Sequence, residues 1–204
     1  MKEKYLEDIK DIKDIMNRSS RFISLSGLAG VFAGIVALAG VYVAYKTVYA
    51  NQDYAAYRQV IITSETIINL LLVAIATLLL TFVSVLYFTR KKAIKNNQKL
   101  WDHQSKRLVI NLMIPLAAGG ILCLILLSQG FIGLIAPLTL LFYGLALVNA
   151  SKYTLSEIRS LGLIEIALGL IATYFIGYGL LFWALGFGVL HIIYGFLMEV
   201  RYRS

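Results

Sequence analysis

Residues Leu108 to Ser151 form a run of 44 residues without one formally charged side chain. A helix crosses the hydrocarbon core of a bilayer with about 20 apolar residues, so this run is too long for one crossing and long enough for two. Ser128-Gln129-Gly130 interrupts the run near its middle with residues typical of a turn. The run therefore predicts a tight helical hairpin inside a membrane.

The other charge-free stretches predict the remaining spans. Phe22 to Tyr45 and Thr66 to Thr89 each suit one crossing, and the stretch 155–199 is broken at Gly177-Tyr178-Gly179. Charged residues make up 15% of the chain, against about a quarter in soluble proteins. We predict an all-α integral membrane protein with a cytoplasmic amphipathic helix in residues 1–20 and a six-helix bundle in residues 21–204. Its spans are expected at about 22–45, 66–89, 108–128, 131–150, 155–176 and 180–199.

Lysine and arginine lie almost entirely on one side of these spans. The N-terminal segment, the 90–107 loop and the residues around 152–159 and 201–203 carry 17 of them, against two on the other side. Because short basic loops stay cytoplasmic, both termini are expected in the cytoplasm. The net charge of +8 is then a topology signal, and no nucleic-acid partner is predicted. The 90–107 loop also suits anionic lipid headgroups, although topological anchoring alone explains its charge.

Glu165 is the only formally charged residue in the 39 residues from Ser160 to Met198. An ionisable side chain at bilayer depth is costly and indicates a functional site by default. If the chain turns at Tyr178, Glu165 and His191 are each 13 residues from the turn, so they lie level on antiparallel helices. Both have glycines at the same spacing on the same helix face, where small residues let another helix approach: Gly162, Gly169, Gly188 and Gly195.

Three interpretations of the Glu165–His191 pair remain open. The two side chains form a hydrogen bond between packed helices, worth about 0.6 kcal/mol. Alternatively they handle a proton or cation in a polar cavity. A metal site would need further ligands from an oligomer, because two are too few. Asn111 and Asn149, level about Gly130, either extend a polar track towards the cytoplasm or form a simple interhelical hydrogen bond.

Two further patterns concern packing and the cytoplasmic surface. The first span carries a stripe of small residues that packs closely against an internal helix or a second copy of the chain. Four charges of alternating sign lie level at the cytoplasmic ends of the last two spans and form either an ion-pair cluster or independent surface charges. The stripe includes Ser26, Gly30, Gly34 and Ala37, and the charges are Glu157, Arg159, Glu199 and Arg201. Pro115 and Pro137 are expected to kink their helices.

The first 20 residues form a different kind of segment. Tyr5, Ile9, Ile12 and Met16 recur with helical spacing and predict an amphipathic helix. Its acidic and basic residues balance, whereas membrane-surface helices are usually rich in lysine and arginine. We therefore favour contact with a protein partner or a second copy of the chain over contact with lipid.

No metalloprotease, serine-hydrolase or nucleotide-binding motif occurs in the sequence, and no cofactor or metal is predicted. The segment Asn17–Gly30 resembles the opening of a group of uncharacterised small polytopic bacterial inner-membrane proteins. The resemblance implies a bacterial inner (cytoplasmic) membrane and no particular activity. The sequence favours transport or permeation of a small solute or ion through a Glu165–His191 site. The alternative is a non-transporting scaffold or sensor that acts through the N-terminal helix and oligomerisation, and intramembrane catalysis ranks third.

Overall fold

A computed structural model describes residues 26–49, 64–96 and 101–201 of the chain. Within these ranges the regular structure is entirely helical, which confirms the predicted all-α fold. The helices are α1 (Gly27–Tyr49), α2 (Ser64–Lys95), α3 (His103–Ser128), α4 (Ile135–Ala150), α5 (Glu157–Tyr174) and α6 (Gly179–Arg201). Short 3-10 turns flank α4 at Ile132–Leu134 and Ser151–Tyr153. The amphipathic helix predicted for residues 1–20 lies outside the described residues.

Five helical segments of the described chain are long and apolar enough to cross a membrane. The sixth helix, α5, has 18 residues and carries Glu157, Arg159 and Glu165. Helix α2 is the most exposed: Thr77, Thr89 and Ala93 are its buried residues, while Leu78 is 67% exposed. A helix that is apolar on all sides and packs on few neighbours suits a hydrocarbon environment.

The basic segment at 90–107 is partly helical. Helix α2 continues to Lys95, and α3 begins at His103. Asp102 caps α3, because its Oδ1 accepts a hydrogen bond from the Ser105 amide and the Ser105 Oγ accepts one from the Asp102 amide, both at 2.7 Å. The positive charges therefore lie mostly on helix ends.

The two prolines lie at different places in their helices. Pro115 lies inside α3 and removes a backbone hydrogen bond there. Pro137 is the third residue of α4, where amides of the first turn have no partner within the helix. A kink of α4 is therefore not required by Pro137.

Glycines allow α1 and α6 to approach at backbone distance. A Cβ added to Gly195 would lie 2.5 Å from the backbone nitrogen of Val31, and one added to Gly34 would lie 2.6 Å from the carbonyl oxygen of Gly188. One added to Gly30 would lie 3.0 Å from the Cα of Gly195. Ser26 and Ala37 of the same stripe are buried. The small-residue stripe of α1 thus packs against α6 of the same chain.

A second glycine contact joins α4 and α5. A Cβ added to Gly144 would lie 2.6 Å from the carbonyl oxygen of Gly162, and one added to Gly169 would lie 2.7 Å from the backbone nitrogen of Leu141. The glycines flanking Glu165 therefore face α4, whereas those flanking His191 face α1. The two glycine pairs hold α5 and α6 against different partners, with Glu165 and His191 between them.

Replacing Gly195 by alanine tests the α1–α6 contact. We expect Gly195→Ala to lower the free energy of unfolding by about 1–3 kcal/mol, because the added methyl group would meet backbone atoms that cannot rotate away. The control is Gly120→Ala in α3, where an added Cβ meets nothing within 4 Å. Thermal unfolding in detergent, followed by circular dichroism, should show a lower Tm for Gly195→Ala alone. Equal Tm values for the two variants would contradict the contact.

Candidate functional site

Three polar side chains meet halfway along their helices: Tyr143 of α4, Glu165 of α5 and His191 of α6. Glu165 is the ninth of the 18 residues of α5, and His191 is the thirteenth of the 23 residues of α6. Glu165 is 0% exposed and His191 is 7% exposed. We refer to these three residues as the polar centre. Glu165 and His191 therefore lie in the interior of the protein and not on its apolar outer surface.

The hydrogen bonds of His191 determine which ring nitrogen carries a proton. Nδ1 lies 2.9 Å from the backbone carbonyl oxygen of Gly186, which can only accept, so Nδ1 carries hydrogen. Nε2 lies 2.8 Å from the hydroxyl of Tyr143. In the neutral ring Nε2 accepts from that hydroxyl, and in the protonated ring it donates to it. Tyr143 therefore suits both charge states of His191.

Glu165 has no such partners. Its Oε1 is 3.6 Å from Nδ1 of His191, which is beyond hydrogen-bond distance. Neither carboxyl oxygen has a hydrogen-bond partner among the described residues. A buried polar group without a hydrogen bond costs about 1–3 kcal/mol, and no hydrogen bond among the described residues offsets that cost here. The geometry therefore does not match the interpretation in which Glu165 and His191 form a hydrogen bond between packed helices.

The missing side chain at Gly186 makes room for the carboxyl group. A Cβ at this position would lie 2.5 Å from Oε2 of Glu165 and 2.5 Å from Cδ2 of Leu140. Gly186 belongs to the π-helical stretch Ala184–Leu190 in the middle of α6. Single π-helical turns inside α-helices are frequent at functional sites, because the wider turn exposes backbone groups. Gly186 thus supplies both the acceptor for His191 and the space for Glu165.

Aromatic rings cover the polar centre on one side. Phe187 stacks near His191 with a centroid distance of 5.9 Å, and lies 4.9 Å from the ring of Tyr143. Trp183 lies one helical turn nearer the start of α6, with its ring centroid 4.7 Å from that of Phe187. These rings separate the polar centre from the end of the bundle at which α6 begins.

The predicted Asn111–Asn149 pair forms one interhelical hydrogen bond. The side-chain amide of Asn149 donates to the backbone carbonyl of Asn111 at 2.8 Å, while the side-chain amide of Asn111 donates to the carbonyl of Arg107 at 2.8 Å. The two side chains are not bonded to each other. Of the two interpretations, a polar track or a simple interhelical hydrogen bond, the arrangement corresponds to the hydrogen bond.

The structure divides the predicted cluster of four charges. Arg201 pairs with Glu157 at 2.9 Å between Nη1 and Oε1. Glu199 instead accepts a hydrogen bond at 3.2 Å from the amide of Leu28, in the first turn of α1, and so stabilises the positive end of that helix. Arg159 is exposed on α5. The charges therefore join α6 to two different helices.

Sequence reasoning missed Tyr143 and Gly186. A depth count of the kind that paired Glu165 with His191 would have found Tyr143, because Tyr143 and Glu165 are each 11 residues from Thr154 in the turn between α4 and α5. Gly186 had no comparable signal, since its role depends on the π-helical backbone of α6. Among the described residues, no group of three or more metal-ligating side chains comes together.

Comparison of the chain with protein-family models, with curated proteins and with solved structures gave no match. The chemistry of the centre is therefore inferred from its geometry. His191 lies between the Tyr143 hydroxyl, which is bonded to Nε2, and the carboxyl group of Glu165, which is 3.6 Å from Nδ1. Both neighbouring groups can carry a proton.

Replacing Tyr143 by phenylalanine tests the assigned proton positions. In the wild-type protein, nitrogen-15 NMR of the histidine rings should show neutral His191 with hydrogen on Nδ1. Tyr143→Phe should shift the Nε2 signal of His191, because the Nε2 lone pair no longer accepts a hydrogen bond from the tyrosine hydroxyl. The loss of this hydrogen bond should lower the free energy of unfolding by about 1 kcal/mol. His103, the other histidine of the chain, is exposed and supplies an internal reference. A neutral His191 ring with hydrogen on Nε2 would contradict the assignment.

Proposed function

We propose that the chain is a small transport protein of the bacterial inner membrane in which Glu165 and His191 exchange a proton during movement of a small solute or ion. It spans the membrane six times, with α5 as the sixth span and both termini in the cytoplasm. The excess of lysine and arginine on one side supports this orientation.

One observation carries the transport proposal. The carboxyl group of Glu165 is completely buried and lacks a hydrogen-bond partner among the described residues, yet lies 3.6 Å from a proton-bearing nitrogen of His191. A side chain kept only for packing would be replaced at little cost by an apolar residue of similar size. A buried acid next to a histidine suits reversible proton uptake.

Transport requires an opening movement from this arrangement. A cleft described below has Trp183 in its lining but neither Glu165 nor His191. Access to the polar centre from this cleft therefore needs Phe187 and Trp183 to move. The π-helical stretch of α6 offers a means, because a return to α-helical hydrogen bonding would rotate these rings relative to Glu165.

Glu165→Gln tests the proposal, because it keeps the shape of the side chain and removes the exchangeable acid. In proteoliposomes, a pH-dependent flux of the transported solute should fall to the level of empty liposomes, while the folded yield stays unchanged. Glu157→Gln is the matched control on the same helix. It removes the ion pair with Arg201 at the helix end and should retain the flux. Equal flux in both variants would contradict a role of Glu165 in transport.

A non-transporting scaffold or sensor is the second candidate function. The complete burial of Glu165 favours it, as does the absence of Glu165 from the lining of the cleft described below. On this alternative the N-terminal segment makes the functional contact, with a protein partner or a second copy.

Deletion of residues 1–18 discriminates between the two functions. If the protein is a scaffold, the deletion should dissociate an oligomer or a partner complex in native mass spectrometry or light scattering. If the protein is a transporter, the deleted form should keep the Glu165-dependent flux. A Gly120→Ala variant of the full-length chain controls for handling in detergent.

A further inference from the structure

A cleft of about 350 Å³ lies at the end of the bundle where α6 begins. Val48 and Ile67 line it near the end of α1 and the start of α2, and Gly179 lines it from the start of α6. Along α1 the lining runs inward from Val48 to Gly40, which is about 12 Å at the helical rise of 1.5 Å per residue. The volume falls in the range of ligand pockets, about 300–1,000 Å³.

Among the residues that the structure describes, the lining of this cleft carries no charged side chain. Its polar side chains are two threonines and one tryptophan, and each donor is already used within the protein. The Thr77 hydroxyl donates to the carbonyl of Val73 at 2.8 Å, and the Thr139 hydroxyl donates to the carbonyl of Ala136 at 2.7 Å. The indole of Trp183 donates to Thr139 at 3.1 Å. Among the described residues the cleft therefore offers no free side-chain donor to a polar solute, which favours an apolar ligand.

Small residues create the space. Ala44, Ala74, Gly133 and Ala136 lie in its walls, where larger side chains would fill it. At its inner end, a Cβ on Gly40 would collide with the side chain of Thr77, so α1 and α2 are in close contact there. Helix α2 packs mainly against α1 among the described elements, and therefore leaves the side of the cleft towards α3 and α4 without a tightly packed wall.

We infer that this cleft binds one acyl chain of a membrane lipid. The depth, the apolar lining and the saturated donors suit a hydrocarbon chain, and the bilayer supplies such chains around α2. Trp183 forms the inner wall, and its ring also contacts that of Phe187, which covers the polar centre. The bound chain thus contacts the first of the aromatic rings that close the centre. The inference rests on the proposed membrane insertion but not on proton exchange at Glu165.

Bromine-labelled lipid tests the inference through Trp183. The chain has two tryptophans, so Trp101→Phe leaves Trp183 as the only one. In bilayers of phosphatidylcholine brominated in the middle of the acyl chain, Trp183 fluorescence should be strongly quenched. Ala74→Phe in this background fills the cleft and should restore most of the emission.

Ala76→Phe is the matched control, because Ala76 is exposed on the same helix but does not line the cleft. It should leave the quenching unchanged, and equal Tm values will exclude misfolding of either variant. Equal quenching in Ala74→Phe and Ala76→Phe would overturn the acyl-chain site. Quenching by brominated fatty acid added to unlabelled bilayers, without quenching by the brominated phospholipid, would also overturn it in favour of a free fatty acid. Quenching by aqueous iodide instead would overturn the membrane insertion itself.

Discussion

Close approach of helix backbones at glycine is the constraint on which the rest of the structure depends. Gly195 brings α6 onto α1, and Gly162 brings α5 onto α4, each at distances that exclude a methyl group. In a bilayer the hydrophobic effect does not drive helices together, so close van der Waals contact must supply the stability. These contacts fix the facing sides of α4, α5 and α6. The polar centre follows from that geometry, because each helix carries one of its side chains at mid-length.

The close packing of the helices leaves Glu165 buried beside His191, and this position determines the charge states of both side chains. His191 is satisfied by Tyr143 and the carbonyl of Gly186, so it has no need of the carboxylate for its own stability. Glu165 lies beside it without a hydrogen bond from the described residues. A buried carboxylate without hydrogen-bond donors is strongly disfavoured, so the neutral acid is the stable form while His191 is neutral. Protonation of His191 would supply the compensating charge, which couples the charge states of the two side chains.

Much of this could be predicted from the sequence, and the remainder depends on backbone detail. Charge-free runs located the helices because the bilayer sets a minimum apolar length. The pairing of Glu165 with His191 could be predicted because both are equally far from Tyr178 along the chain, and a tight hairpin keeps antiparallel helices in register. The π-helical stretch Ala184–Leu190 could not be predicted, because no residue type specifies it. The sequence places Glu199 at the same depth as three other charges, but depth alone does not determine which helix lies beside Glu199. In the structure Glu199 accepts a hydrogen bond from α1 instead.

The cleft and the polar centre share a boundary of aromatic rings. Trp183 lines the cleft, and Phe187 lies between Trp183 and the Tyr143–His191 pair. Both rings lie on the part of α6 where the hydrogen-bond pattern changes from α to π. A change of register there would move the rings and Gly186 together, since all three belong to one helical segment. Occupancy of the cleft and access to Glu165 would then be linked through Trp183, which lines the cleft on one side and contacts Phe187 on the other.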